Sequence, residues 1–154
     1  MRAAVVTVST TRARGEGEDM SGPRLVELCE AAGLEVSHET VSDDRAAIAT
    51  VLKRLADHER VRFVFTTGGT GLTVDDLTPE ATRDVIDREA PGYAETIRAD
   101  ARGHTPLGIL TRGVSGVRGR TLIVNFPGNP KAIDQSWPVV EPTLGHAAEM
   151  LERE

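Results

Sequence analysis

Val61-Arg62-Phe63-Val64-Phe65-Thr66-Thr67-Gly68-Gly69-Thr70-Gly71 is the stretch that decides the fold. Val61 to Phe65 is a short apolar run, interrupted only by Arg62, with β-branched and aromatic residues and no helical spacing. It predicts a strand buried on both faces. Thr66 to Gly71 then reads as a loop, and Thr78-Pro79-Glu80 opens a helix that carries Val85 and Ile86. The same strand, loop and helix order recurs outward in both directions.

Toward the N-terminus, Ala3 to Val8 reads as a first central strand, followed by a charged loop from Thr10 to Met20. Ser21-Gly22-Pro23 predicts a helix start with Ser21 as cap; Leu25, Val26, Leu28, Cys29 and Ala32 recur at helical spacing before Gly33 stops the helix. Leu34 to Val41 alternates as a half-exposed strand, and Ser42-Asp43-Asp44 precedes a second amphipathic helix with Ile48, Val51, Leu52 and Leu55. Toward the C-terminus, Pro91-Gly92 is expected to break the third helix, Tyr93 to Arg102 to form another, and Ile109–Thr111 and Leu122–Asn125 to be strands. Phe126 to Pro130 is a tight turn into a last helix toward Leu151. Such alternation predicts an α/β fold with a mostly parallel sheet covered by helices on both faces.

The chain has 154 residues, which predicts one domain over 1–154. Apolar residues are 39% of the chain, and 15 glycines bring the sum near the globular average. The formal charge is −6, with only three Phe, one Tyr and one Trp, which argues against a nucleic-acid binder. Phe63 to Val74, twelve residues, is the longest uncharged stretch and is short of a membrane span. The lone Cys29 rules out an internal disulfide, so a cytoplasmic location is expected.

Ligands of such sheets sit beyond the carboxyl ends of the strands. Those ends carry Ser9-Thr10, Ser42-Asp43, the Thr66 to Gly71 loop and Asn125 to Lys131. The glycine loop can cradle phosphates with its amides, although it has neither the Walker nor the dinucleotide spacing; a bare strand-to-helix turn is the alternative. Asp43 and Asp76 can form a carboxylate pair for a Mg²⁺-nucleotide, or each can cap or precede a helix. Asn129 can select a ring or ribose, and Lys131 and Arg112 can meet an anionic group; a plain turn and solvated cations are the alternatives. The four histidines lack metal-ligand spacing.

Taken together, Thr66–Gly71, Asp76-Leu77-Thr78-Pro79-Glu80, Arg88–Tyr93, Leu110–Gly116 and Asn125–Pro130 resemble the molybdenum-cofactor biosynthesis family that includes molybdopterin adenylyltransferase. The resemblance covers nearly the whole chain. It implies a three-layer α/β/α sandwich with a mixed, mostly parallel sheet, assembled as a homotrimer or a larger assembly such as a hexamer. It also implies Mg²⁺-dependent transfer of an adenylyl group from ATP to molybdopterin. By motif, Asp43 and Asp76 fall at the catalytic, metal-binding aspartates. Ser9, Thr67, Gly68, Gly69, Thr70, Gly71, Arg112, Pro127, Gly128, Asn129 and Lys131 fall at substrate and nucleotide positions.

The chain departs from the family at two points. Thr10 stands where many members have aspartate, and Gly113 where some adenylyltransferases have serine. Three readings therefore follow from the resemblance: the transferase, a non-catalytic molybdopterin-binding or carrier protein of the same pathway, and a scaffold with a vestigial crevice. A molybdenum-insertion protein is the implied recipient; neither nucleic acid nor membrane is an expected partner.

Overall fold

A computed structural model describes residues 1–153. Its strands are β1 (Arg2–Val8), β2 (Glu35–Val41), β3 (Phe63–Thr67), β4 (Arg88–Glu89), β5 (Ser115–Arg118) and β6 (Thr121–Phe126). Its helices are a single turn α1 (Thr10–Ala13), then α2 (Ser21–Ala31), α3 (Arg45–Lys53), α4 (Thr78–Val85), α5 (Pro91–His104), α6 (Pro130–Val140) and α7 (Leu144–Glu152). One six-stranded sheet runs in the order β2-β1-β3-β6-β5-β4. The β2, β1, β3 and β6 ladders are parallel; β5 lies antiparallel to β6, and β4 to β5.

Strand alternation divides the core into two layers. Ala3, Val5, Phe63, Phe65, Leu122, Val124 and Phe126 point to one face and pack with Leu25 and Cys29 of α2, Ile97 of α5, Ile133 and Trp137 of α6, and Ala148 of α7. Ala4, Val6, Val8, Val64 and Ile123 point to the other face and meet Ile48 and Leu52 of α3 and Ala81 and Val85 of α4. The result is the expected α/β sandwich with a mixed, mostly parallel sheet. Burial pushes the Cys29 thiol up to about 12, so it packs as a small apolar group. Among the described residues no helix is long and apolar enough to cross a membrane.

Several local expectations are corrected. The deciding strand begins at Phe63 and runs through Thr67, two residues later than its apolar run suggests. Ser21 does not cap α2; Asp19 Oδ1 accepts the Gly22 amide at 2.9 Å instead. Pro91-Gly92 opens α5 rather than breaking α4, because a proline in the first turn has no intrahelical amide to lose. Ile109–Thr111 is not a strand: Pro106–Leu110 forms a 3₁₀ turn, and Gly108 lies so close to α5 that a Cβ would stand 2.6 Å from the Ala101 carbonyl carbon. The strand antiparallel to β6 is instead β5, supplied by Ser115–Arg118, with β4 at the edge beyond it. The last helix is two, separated by a 3₁₀ turn at Glu141–Thr143 that contains Pro142.

Candidate active site

The chain passes from β1 out to β2 and then returns to the opposite side of β1 as β3. That reversal opens a crevice at the carboxyl ends of β1 and β3. It measures about 550 Å³. Thr7, Val8 and Ser9 form one wall, Thr67, Gly68 and Gly69 the other, and Gly128 and Pro130 of the β6–α6 turn close it. Thr11, Arg12 and Glu18 to Ser21 form the outer rim.

The glycine wall needs its glycines. Gly68 has φ +97 and a Cβ there would lie 2.5 Å from the Val8 carbonyl oxygen; Gly69 has φ +68 and its Cβ would collide with Thr78 Oγ1. Thr67 Oγ1 donates to the Pro127 carbonyl at 2.7 Å, and Thr78 Oγ1 to the Gly68 carbonyl at 2.9 Å. Beneath this wall the buried Asn125 amide donates to Thr66 Oγ1 and Thr82 Oγ1, both at 3.0 Å, and accepts the Val114 amide at 3.1 Å. The loop is thereby fixed to β6 and α4 before any ligand arrives.

Arg112 holds the outer part of the same loop. Its backbone amide donates to the Thr70 carbonyl, Nε to the Gly71 carbonyl and Nη2 to the Asp76 carbonyl, each at 2.7 Å, while Nη1 meets Glu80 Oε1 at 2.6 Å. The hydrogen bonds from Arg112 hold the Glu80 carboxyl below its ordinary range. Thr70, Gly71 and Arg112 therefore stand together in a clasp.

Neither expected aspartate caps the helix that follows it in sequence. Asp44, not Asp43, accepts the Ala47 amide at the start of α3. Asp43 reaches across to the first residue of α1, where its Oδ2 accepts from the Thr10 amide at 2.8 Å and from Thr10 Oγ1 at 3.0 Å, and its own amide donates to Thr10 Oγ1 at 3.0 Å. Thr10, the departure from the family pattern, thus orients Asp43. Asp76 Oδ2 accepts from the amide and hydroxyl of Thr73, both at 2.9 Å, and the carboxylate folds over Gly71. In both aspartates no donor among the described residues reaches Oδ1.

Each of those oxygens has the hard-donor chemistry that suits a cation such as Mg²⁺. No group of three or more His, Cys, Asp or Glu that could hold a metal occurs among the described residues, so the chain offers one or two carboxylates and ligand phosphates would complete the shell.

Of the remaining expected residues, Ser9, Thr67, Gly68, Gly69 and Gly128 line the crevice. Pro127 contributes through its carbonyl. Asn129 accepts the Ala132 amide at 3.0 Å as the cap of α6, and Lys131 is exposed on that helix's first turn. Asp43, Asp76, Thr70, Gly71, Arg112, Asn129 and Lys131 do not line it.

Sequence reasoning passed over Thr7, Arg12, Asp19 and Ser21. Thr7 Oγ1 donates to Asp19 Oδ2 at 2.7 Å and lies 2.9 Å from His38 Nε2, joining β1, β2 and the start of α2. Their signal was position: a charged segment placed directly after the carboxyl end of the first strand.

Comparison with known proteins assigns the family. The profile described as "Probable molybdopterin binding domain" matches residues 4–146. The molybdopterin adenylyltransferase of Helicobacter pylori J99 is 34% identical over 150 residues, covering 96% of this chain and 85% of that protein. The Drosophila melanogaster molybdenum cofactor synthesis protein cinnamon is 35% identical over 96% of this chain, which spans 25% of that longer protein. The solved structure of the molybdopterin biosynthesis enzyme MoaB from Thermus thermophilus has a TM-score of 0.91 at 44% identity, covering 97% of this chain and 95% of that one. The chain belongs to the molybdopterin adenylyltransferase family, as a molybdopterin-binding protein of the MogA/MoaB type.

Proposed function

We propose that the chain catalyses Mg-ATP-dependent adenylylation of molybdopterin in molybdenum cofactor biosynthesis. A terminal phosphate oxygen of molybdopterin attacks the α-phosphorus of ATP, the new P–O bond forms as the α–β bond breaks, and pyrophosphate leaves with the bonding electrons. The observation that carries this reading is the glycine-walled crevice with two aspartates in the adjoining segments, each held by a threonine and each keeping one oxygen without a donor among the described residues. Phosphoryl-type transfer asks for positioning and charge stabilisation rather than a covalent nucleophile.

The chain supplies that positioning through elements already fixed. Gly68 and Gly69 let a phosphate approach the main chain closely, and the Arg112 clasp keeps the loop in place while charge moves. Thr10 holds Asp43, and Thr73 holds Asp76, so each carboxylate presents Oδ1. Bound there, Mg²⁺ would offset phosphate charge. The same reading extends to a homotrimer that passes its product to a molybdenum-insertion protein; light scattering tests the assembly.

The deciding experiment is a single-turnover reaction with molybdopterin, ATP and Mg²⁺, reading adenylyl-molybdopterin and pyrophosphate. Asp76→Asn is expected to keep the fold and pterin binding and to lose about 10²- to 10³-fold in rate. An unchanged rate in that variant overturns the assignment of Asp76. Pterin bound by the unaltered protein with no product formed makes it a carrier.

A further inference from the structure

Arg12 is the only basic side chain among the residues lining the crevice. The other charged lining residues are Glu18 and Asp19. Asp19 is already engaged, with Oδ1 on the Gly22 amide and Oδ2 shared by Thr7 and His38. Arg12 is not: its one side-chain hydrogen bond among the described residues is a 3.5 Å contact from Nη1 to the Glu16 carbonyl. Arg24, Arg45, Arg54, Arg62, Arg112 and Arg118 each meet a carboxylate instead.

The backbone around Arg12 is built to place it. Ser9 Oγ accepts the Arg12 amide at 3.3 Å, fixing α1 at the end of β1. Gly17 has φ +69, a conformation that favours glycine, and the Arg12 guanidinium lies over it, with Nη1 2.5 Å from where a Cβ would stand.

We propose that Arg12 is the anion anchor of this crevice, donating to the oxygens of a phosphate group held against the Gly68-Gly69 wall. A guanidinium with unengaged donors matches phosphate geometry. It also corrects the local sign, because without it an anion would face only Glu18 and Asp19. The assignment deepens the proposed function by replacing Arg112 and Lys131 as the charge that meets substrate.

Calorimetric binding of inorganic pyrophosphate, ATP and molybdopterin to the whole protein tests it without turnover. Arg12→Gln is expected to weaken pyrophosphate at least tenfold, Arg12→Lys to recover part of the loss, and Arg14→Gln, an exposed neighbour of the same charge, to stay within twofold. Loss confined to ATP identifies the nucleotide phosphate as the group held, and loss confined to molybdopterin identifies the pterin phosphate; both support the anchor. Full affinity in Arg12→Gln, equal loss in Arg14→Gln, or no phosphate binding by the unaltered protein overturns it. Tight binding that depends on Arg12 without adenylyl transfer overturns the transferase reading alone, and transfer with full affinity in Arg12→Gln overturns the anchor alone.

Discussion

Arg12 lines the crevice, Arg112 clasps the β3–α4 loop outside it, and the two are used in opposite ways. In the β3–α4 loop, Arg112 spends its donors on the Gly71 and Asp76 carbonyls and on Glu80. On the β1–α1 rim, the loop is held by Ser9, Thr10 and Asp43, and Arg12 keeps its guanidinium almost unengaged. One arginine is structure; the other faces the cavity. The difference lies in whether a carboxylate and loop carbonyls converge on the guanidinium, a tertiary property that residue type does not reveal.

Gly68 is where the β3–α4 loop meets β1, so substitution there should break both. Alanine would have to adopt φ +97 and bring its Cβ within 2.5 Å of the Val8 carbonyl. The expected cost is about 3 kcal/mol, from left-handed backbone strain plus overpacking. Urea denaturation measures it, with Gly119→Ala as control. Gly119 has φ +56 and open space around its Cβ, so it carries the backbone cost alone, about 1 kcal/mol. Equal losses at the two sites would mean that β1 does not constrain the glycine wall.

Arg112→Met should come next, at about 2–3 kcal/mol, because it strands the Glu80 carboxylate and removes charged hydrogen bonds from two loop carbonyls. Thermal unfolding should fall by about 5–10 °C. Arg12→Gln removes no comparable contact and should unfold with the unaltered protein.

How far these roles can be read from sequence depends on the range of the interaction that sets them. The β1 run and the first helical turn of α3 declare themselves locally, through apolar patterning and Asp44. Ser115–Arg118 does not. Gly116 is suited to it because a Cβ would press on Ile86 and the Arg88 carbonyl, contacts made only once β4 and β6 flank it. Ile109–Thr111 carries the stronger strand composition, yet Gly108 seats its neighbourhood against α5. In the site, Gly68 and Gly69 could be singled out because glycine is the residue type that a positive φ or a close backbone approach favours. The contacts of Arg112 and the place of Arg12 were not, since the partners of the Arg112 guanidinium lie 32 to 41 positions away and Arg12, unlike its exposed neighbour Arg14, lines the crevice.

The smallest effect separates the two arginines by pH. Hydrogen bonding from Arg112 lowers the Glu80 pKa in the folded chain below the ordinary glutamate value of 4.5. A carboxyl depressed on folding contributes stability that is fully present above its unfolded pKa and is lost as pH falls through the folded value. The stability gap between the unaltered protein and Arg112→Met should therefore be constant from pH 7 down to about pH 5, then narrow below about pH 4.5 as Glu80 takes up its proton. Asp57 and Asp84 are lowered in the same direction by Arg118 and Arg45, but they remain in both proteins, so the difference isolates Glu80. Urea titrations at each pH give the gap. For Arg12→Gln the gap should be flat across the range, because no carboxylate among the described residues pairs with that guanidinium; a gap that narrows in acid there would show that Arg12 is held by an acidic partner and is not free to meet phosphate.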